Sequence, residues 1–247
     1  MAGRTYKTDA IVLRSLRFSE ADRILHLYTA GRGRIGAIAK GVRKTKSRFG
    51  ARLEPLSHVE LMLHEGSGEL QTITGVDLKS SHRATREDGY RLNVGLIGAE
   101  AMLRLFGEPE ANERAFNALA RFLDLLDNAP TRGSDDRAAL DPLVLSFQLK
   151  LLWLAGYLPH LTSCVECGQP ELVGFSARAG GAVCREHAHN ALRLTEEGLA
   201  AIEHLLSTPL ADAVGAPLPS RARRDALAVI TSSYEEHGGF RLRTVSA

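Results

Sequence analysis

All three cysteines of the 247-residue chain fall within 21 residues, at Cys164-Val165-Glu166-Cys167 and Cys184-Arg185-Glu186-His187. The spacing is C-x2-C-x16-C-x2-H, inside the range of zinc ribbons and knuckles. A C-x2-C turn offers two thiolates to one ion, and a second such turn completes a tetrahedron. Gly168 follows the first pair and relieves its turn. His187 repeats the two-residue gap and is the expected fourth ligand, with His189 as the alternative. Three small buried hydrophobes are the competing reading, because free cysteine packs well. Four protein ligands would close the shell, so the expected zinc ion is structural and not catalytic. Its binding would organise an insert, residues 160–190, too short to build a core of its own.

A second group of residues is set apart by charge. From Arg32 to Arg52 there are eight basic side chains (Arg32, Arg34, Lys40, Arg43, Lys44, Lys46, Arg48 and Arg52) and no acid. Ala39 to Gly50 reads as an exposed loop, and its charge repels itself unless a polyanion neutralises it. A phosphate backbone is the expected partner, and a solvated loop, an acidic protein or a membrane surface are the alternatives. Four aromatics lie nearby: Tyr6, Phe18, Tyr28 and Phe49. Tyr28 is expected in the core. Phe49, flanked by Arg48 and Gly50, is expected to be exposed for base stacking. With so few aromatics, binding should be mainly electrostatic and weakly sequence-specific.

The elements that must position these groups follow from periodicity. Residues 10–13, 24–28 and 34–40 are short runs rich in strand formers. Val59, Leu61 and Leu63 alternate with polar neighbours, the period of a half-buried strand. Glu65-Gly66-Ser67-Gly68 is a turn into a fifth strand over 69–76. Five strands in about 80 residues suit a small barrel, of the oligonucleotide-binding (OB) or the SH3-like kind. From about Glu87 the period becomes helical: Leu92, Leu96, Ala99, Leu103 and Phe106 form one stripe, and Phe116, Leu119, Leu123 and Leu126 another. Pro130 to Asp135 reads as a loop into Leu140–Tyr157, which is apolar nearly all round and predicts the central helix of a bundle. Thr195 and Ser220 are placed to cap two further helices. The expected fold is therefore α+β: a five-stranded barrel over residues 1–80, then an all-α domain over 81–247 with the zinc-binding insert.

Charge divides the same way. Residues 1–80 carry 14 Lys and Arg against 8 Asp and Glu, whereas the rest of the chain is net acidic, at 17 against 21. The two parts should face different partners, one of them anionic. An odd cysteine count argues against a disulfide-stapled secreted fold. No apolar N-terminal run or uninterrupted membrane span is present, so a cytoplasmic protein is expected. Walker-type phosphate loops, a G-x-S-x-G elbow and H-E-x-x-H are absent. Gly31-x-Gly33-x-x-Gly36 leads into a strand and is read as a hairpin turn. Nothing nominates a nucleophile, and no enzymatic activity is expected.

These parts together resemble a known family. Residues 10–14, Arg34-Ile35-Gly36, Ala39 to Arg43, Lys46 to Phe49 and Leu53-Glu54-Pro55 look like the bacterial recombination mediator RecO family. The helical middle and the cysteine cluster after Gly156-Tyr157-Leu158-Pro159 are similar too, so the likeness runs from about residue 5 to 240. It implies an OB barrel, a helical domain with a zinc insert, and a non-enzymatic role in recombinational repair near the nucleoid. It further implies binding of single- and double-stranded DNA, strand annealing, and partnership with RecR. Contact with the acidic C-terminal tail of single-strand binding protein (SSB) and help in loading RecA are implied as well. This chain departs from the four-cysteine version of the family by placing His187 at the fourth position. A zinc-ribbon RNA-binding or regulatory module is the alternative of a different class, and a zinc hydrolase acting on nucleic acid is a third.

Overall fold

The computed structural model describes residues 4–47, 49–107, 109–130 and 137–245. The chain packs as two compact units, residues 1–127 and 128–247.

The first unit is built on five strands: β1 (Arg4–Arg17), β2 (Arg23–Thr29), β3 (Gly33–Ala39), β4 (His58–Glu65) and β5 (Gln71–Ser80). They close in the order β1-β2-β3-β5-β4, with β1 pairing both β2 and β4, and β3 pairing β5 in parallel. This closed order is that of an OB barrel, which decides between the two barrels the strand count allowed. Alternation does the work: along β3 every second residue is buried, as are Val59, Leu61 and Leu63 along β4. Residues 30–32 make the expected hairpin turn between β2 and β3, and Gly33 and Gly36 already lie in β3. Gly33 is required there by its φ of +65° and by the Glu110 carbonyl oxygen, which occupies the place of a Cβ.

Phe49 corrects the expectation of an exposed aromatic. It is 1% exposed and lies in the barrel core with Leu53. A short 3-10 turn, Gly50–Leu53, rolls both side chains inward, and burial of a phenyl ring outweighs its polar neighbours. Tyr28 is fully buried, as expected, with its ring edge-on to Phe106.

Three helices complete this unit: α1 (Arg83–Glu87), α2 (Gly89–Leu105) and α3 (Glu113–Asn128). On α3 the predicted stripe is buried throughout. On α2 it is offset: Val94, Ile97, Ala101 and Met102 are buried, whereas Leu92, Leu96 and Leu103 are only half-buried. Gly95 explains the shift. A Cβ at Gly95 would sit 2.7 Å from the Leu56 side chain, so the helix approaches on its glycine face.

The second unit is helical. Its centre is α4 (Pro142–Leu154), buried on almost every side, capped by Asp141 and started by Pro142. α5 (Glu196–Ser207) begins at the predicted cap, where the Thr195 hydroxyl accepts from the Gly198 N–H. α6 (Ser220–Gly238) does not use Ser220 as its cap; Pro219 holds that position and the Ser220 hydroxyl accepts from Arg223 instead. The insert between α4 and α5 forms a three-stranded sheet of β6 (Gly174–Ser176), β7 (Gly181–Val183) and β8 (Leu192–Arg193), in the order β7-β6-β8. The loop expected over 130–135 lies, after Pro130, outside the described residues. No helix among the described residues is long and apolar enough to cross a membrane.

Candidate functional site

In the insert, two tight turns face each other. Cys164 accepts from the Gly168 N–H at 2.8 Å, with Gly168 at φ +76°, and the Cys184 carbonyl accepts from the His187 N–H at 3.1 Å. Gly181 packs so closely that a Cβ would meet the His160 carbonyl oxygen at 2.4 Å and the Val165 side chain at 2.6 Å, and the Val165 N–H donates to the Ala182 carbonyl at 3.0 Å, which holds β7 against the first turn. The result is one group of four donors, Cys164, Cys167, Cys184 and His187, whose ligand atoms all lie within 4.8 Å of one another. The Cys167 and Cys184 sulfurs are 3.8 Å apart, and His187 Nδ1 is 3.3 Å from Cys184 Sγ and 3.7 Å from Cys164 Sγ. A tetrahedron with zinc-like bond lengths has S···S edges of about 3.8 Å and S···N edges of about 3.5 Å, so the spacing fits such an ion. His189 is exposed and outside the group.

The local electrostatics favour the thiolate at Cys164 and Cys184, whereas Cys167, against a lowering bond from the Gln169 N–H, is held upward by burial and by its two neighbouring sulfurs. Burial alone would raise the Cys164 thiol, but the N–H groups of Cys184, Glu166 and Cys167, with the Cys167 side chain, bring it down to about 6. Cys184 is lowered chiefly by His187, which is itself raised by Cys184. The apolar support here is a small cluster of Cys164, Val183 and Cys184, flanked by Val165, Leu172, Ala188 and Ala191. Four donors leave no open coordination position, so such an ion would hold the insert together and perform no chemistry.

The eight basic residues separate into two kinds. Arg32 sits in the β2–β3 turn, with its guanidinium carbon 3.9 Å from the Tyr6 ring centroid and Nη1 3.0 Å from Glu65. Arg34 donates to the Leu103 carbonyl at 2.8 Å. Arg52 donates to the Phe49 and Val76 carbonyls, both at 3.0 Å. These three are engaged within the protein.

At the other end of β2 and β3 the picture changes. Lys40, Arg43, Lys44 and Lys46 are all exposed, and the three lysines make no ion pair among the described residues. Arg43 braces the turn: its N–H donates to the Ala21 carbonyl at 3.0 Å, and its guanidinium reaches the Ser19 and Glu20 carbonyls at 3.3 and 2.9 Å. Asp22 adds a further tie by accepting from the Gly41 N–H at 2.7 Å. The basic turn is thus fastened to the β1–β2 loop, one of the loops OB barrels use for oligonucleotides. Arg48 lies outside the described residues. Sequence reasoning missed Phe18, which is 58% exposed on that same loop. An aromatic between Arg17 and Ser19, in a stretch with no apolar partner downstream, was the available signal.

With this geometry in place, comparison with known proteins is decisive. Residues 1–82 match the family described as Recombination protein O N terminal, and residues 86–245 match Recombination protein O C terminal. The chain belongs to the RecO family. Among its relatives is the DNA repair protein RecO of Rubrobacter xylanophilus, 39% identical over 227 residues, covering 89% of this chain and 88% of that protein. The DNA repair protein RecO of Anaeromyxobacter sp. is 34% identical over 243 residues, covering 96% and 92%. That of Frankia casuarinae is 36% identical over 236 residues, covering 94% and 93%. The two RecO segments meet between residues 82 and 86, just after β5 ends at Ser80. The compact units divide later, because α2 and α3 of the second RecO segment pack with the barrel.

Proposed function

We propose that this protein is a non-enzymatic DNA-binding mediator of recombinational repair. Its barrel would hold single- and double-stranded DNA through Lys40, Arg43, Lys44, Lys46 and Arg48, while Arg32, Arg34 and Arg52 add long-range positive charge from engaged positions. The observation that carries this reading is the exposed lysine turn, clamped onto the β1–β2 loop of an OB barrel in a RecO-family chain. Two DNA strands repel each other. A cationic surface that contacts their phosphates reduces the repulsion and leaves base edges free to pair, which is the physical requirement of annealing. Such a role makes or breaks no covalent bond and needs no catalytic constellation.

The same reading assigns zinc to Cys164, Cys167, Cys184 and His187 as a folding element of the insert. It makes RecR and the acidic SSB tail the protein partners, and RecA the protein whose loading benefits, in the cytoplasm and at the nucleoid. Fluorescence annealing of complementary oligonucleotides, bare and SSB-coated, tests it. Acceleration on both substrates is expected, with RecR needed for RecA loading on the coated strand. Absence of acceleration on bare strands would overturn the proposal.

A further inference from the structure

The outer face of the barrel is divided. At one end Ile11 and Tyr28 are buried, Phe106 of the segment after α2 packs on Tyr28, and Arg34 reaches back to α2. Nearer the β1–β2 loop the face is partly covered: the Leu70 side chain packs at Gly36, where a Cβ would lie 2.7 Å from it. Leu25, Leu27, Ala37 and Ala39 point into the core, so Ile24 and Ile38 point outward. The register pairs Leu16 with Ile24, Ile24 with Ile38, and Arg14 with His26, which puts these side chains on one face. Leu16, Ile24 and Ile38 are half-buried and form a continuous aliphatic row across three strands, bordered by exposed Arg14. Phe18, 58% exposed, directly follows the end of β1 two residues after Leu16.

A singly exposed phenylalanine is ordinary on a protein surface. This one differs in its mounting. Its N–H donates to the Asp22 carbonyl at 3.2 Å, closing the loop, and the loop is held by the Arg43 and Gly41 bonds of the basic turn. The loop backbone is therefore held in place, and it presents an exposed ring beside the turn that carries Lys40, Lys44 and Lys46. Apolar plate plus cationic track is the pairing that single-stranded nucleic acid requires, since phosphates need charge and unpaired bases need a surface to stack on. Duplex DNA hides its base faces and gains nothing from the plate.

We propose that Phe18 is a base-stacking residue and that the β1–β3 face beside it seats unpaired bases, so the site takes single strands in preference to duplex. This deepens, and rests on, the DNA-binding reading above.

The test uses the full-length protein with two probes, a dT 20-mer and a 20-base-pair duplex. Phe18→Ala should weaken dT binding by roughly 5- to 150-fold, the effect of one lost base stack, while duplex affinity stays within about twofold. Phe18→Trp placed with Trp153→Phe should bind dT as well as the parent, and its fluorescence should be quenched on binding. Equal loss on both probes, loss on neither, or full binding without quenching would overturn the stacking role; loss on neither would instead assign the face to a protein partner. Parent protein that bound neither probe would sink the DNA-binding reading itself, a result distinct from any of these.

Discussion

The guanidinium of Arg43 donates to the carbonyl of Glu20 at 2.9 Å, joining the most basic turn of the chain to the β1–β2 loop. One side chain thus both carries charge and fixes where its neighbours' charges stand. Both bonds to the Ser19 and Glu20 carbonyls leave one guanidinium nitrogen, Nη1, and lysine, whose side chain is one bond shorter, does not carry its ammonium to that position. Arg43→Lys, which keeps the net charge, should weaken oligonucleotide binding about fivefold, the effect of one lost hydrogen bond of ~1 kcal/mol. It should also expose the 40–47 turn to limited proteolysis. Parent-like affinity and cleavage would show that the clamp has no role.

Removal of metal should act on the insert. Cys164→Ser is expected to lower bound zinc from about one ion per chain to near zero and to expose residues 160–190 to protease. The loss should be several kcal/mol, since structural zinc can contribute on the order of 10 kcal/mol to folding. Oligonucleotide binding by the barrel should change less than twofold. Metal analysis and melting curves check the first part, and a metal-free variant that melts like the parent would contradict it.

Thr195 does two things at once. Its hydroxyl caps α5 by accepting from Gly198, and it donates to Asp225 Oδ2 of α6 at 2.7 Å. Gly198 lets the helices meet this closely, because a Cβ there would lie 2.4 Å from the same carboxylate oxygen. Thr195→Ala should therefore cost about 2 kcal/mol, the upper end for a lost cap, whereas Thr195→Ser should cost much less. Chemical denaturation measures both.

Acid should weaken the first unit through His58. Burial, chiefly, lowers its pKa below the ordinary histidine value; Lys79 and His82 also lower it, while Asp9 and Asp124 raise it. The ring packs edge-on against Phe116 at 5.6 Å. Because the folded state disfavours the charged ring, the unfolded chain binds the proton more readily. Stability is thus complete above about pH 6.5 and is lost progressively as the pH falls below it. His58→Gln should shrink the drop in Tm between pH 7.5 and 5.5, and an unchanged drop would exclude His58 as its source.

Local signals were legible in the sequence and tertiary ones were not. The Cys3His group could be read because its four donors come from two turns of fixed short spacing, and strands β1 to β5 because burial on one face imposes a period of two. Phe49 and Phe18 could not be read for the opposite reason. Phe49 lies among polar residues yet is turned inward by the 3-10 turn after it, and Phe18 lies at the end of a strand yet is left outside by the closure of its loop. The offset stripe on α2 has the same origin, since Gly95 lets a neighbouring element select the buried face. Which arginines of the basic run are engaged was likewise hidden: Arg34 and Arg52 find carbonyl partners 69 and 24 residues away in sequence.

The most direct test of the whole account is the salt dependence of binding to a dT 20-mer, parent against a Lys40→Ala, Lys44→Ala, Lys46→Ala variant. Each phosphate contact on a single strand contributes about 0.7 to the slope of log affinity against log salt. The parent should therefore show a steep negative slope, and the variant should bind more weakly with a slope shallower by about 2. Equal slopes, or a parent that ignores the oligonucleotide even at low salt, would contradict the claim that this end of the barrel holds the phosphate backbone.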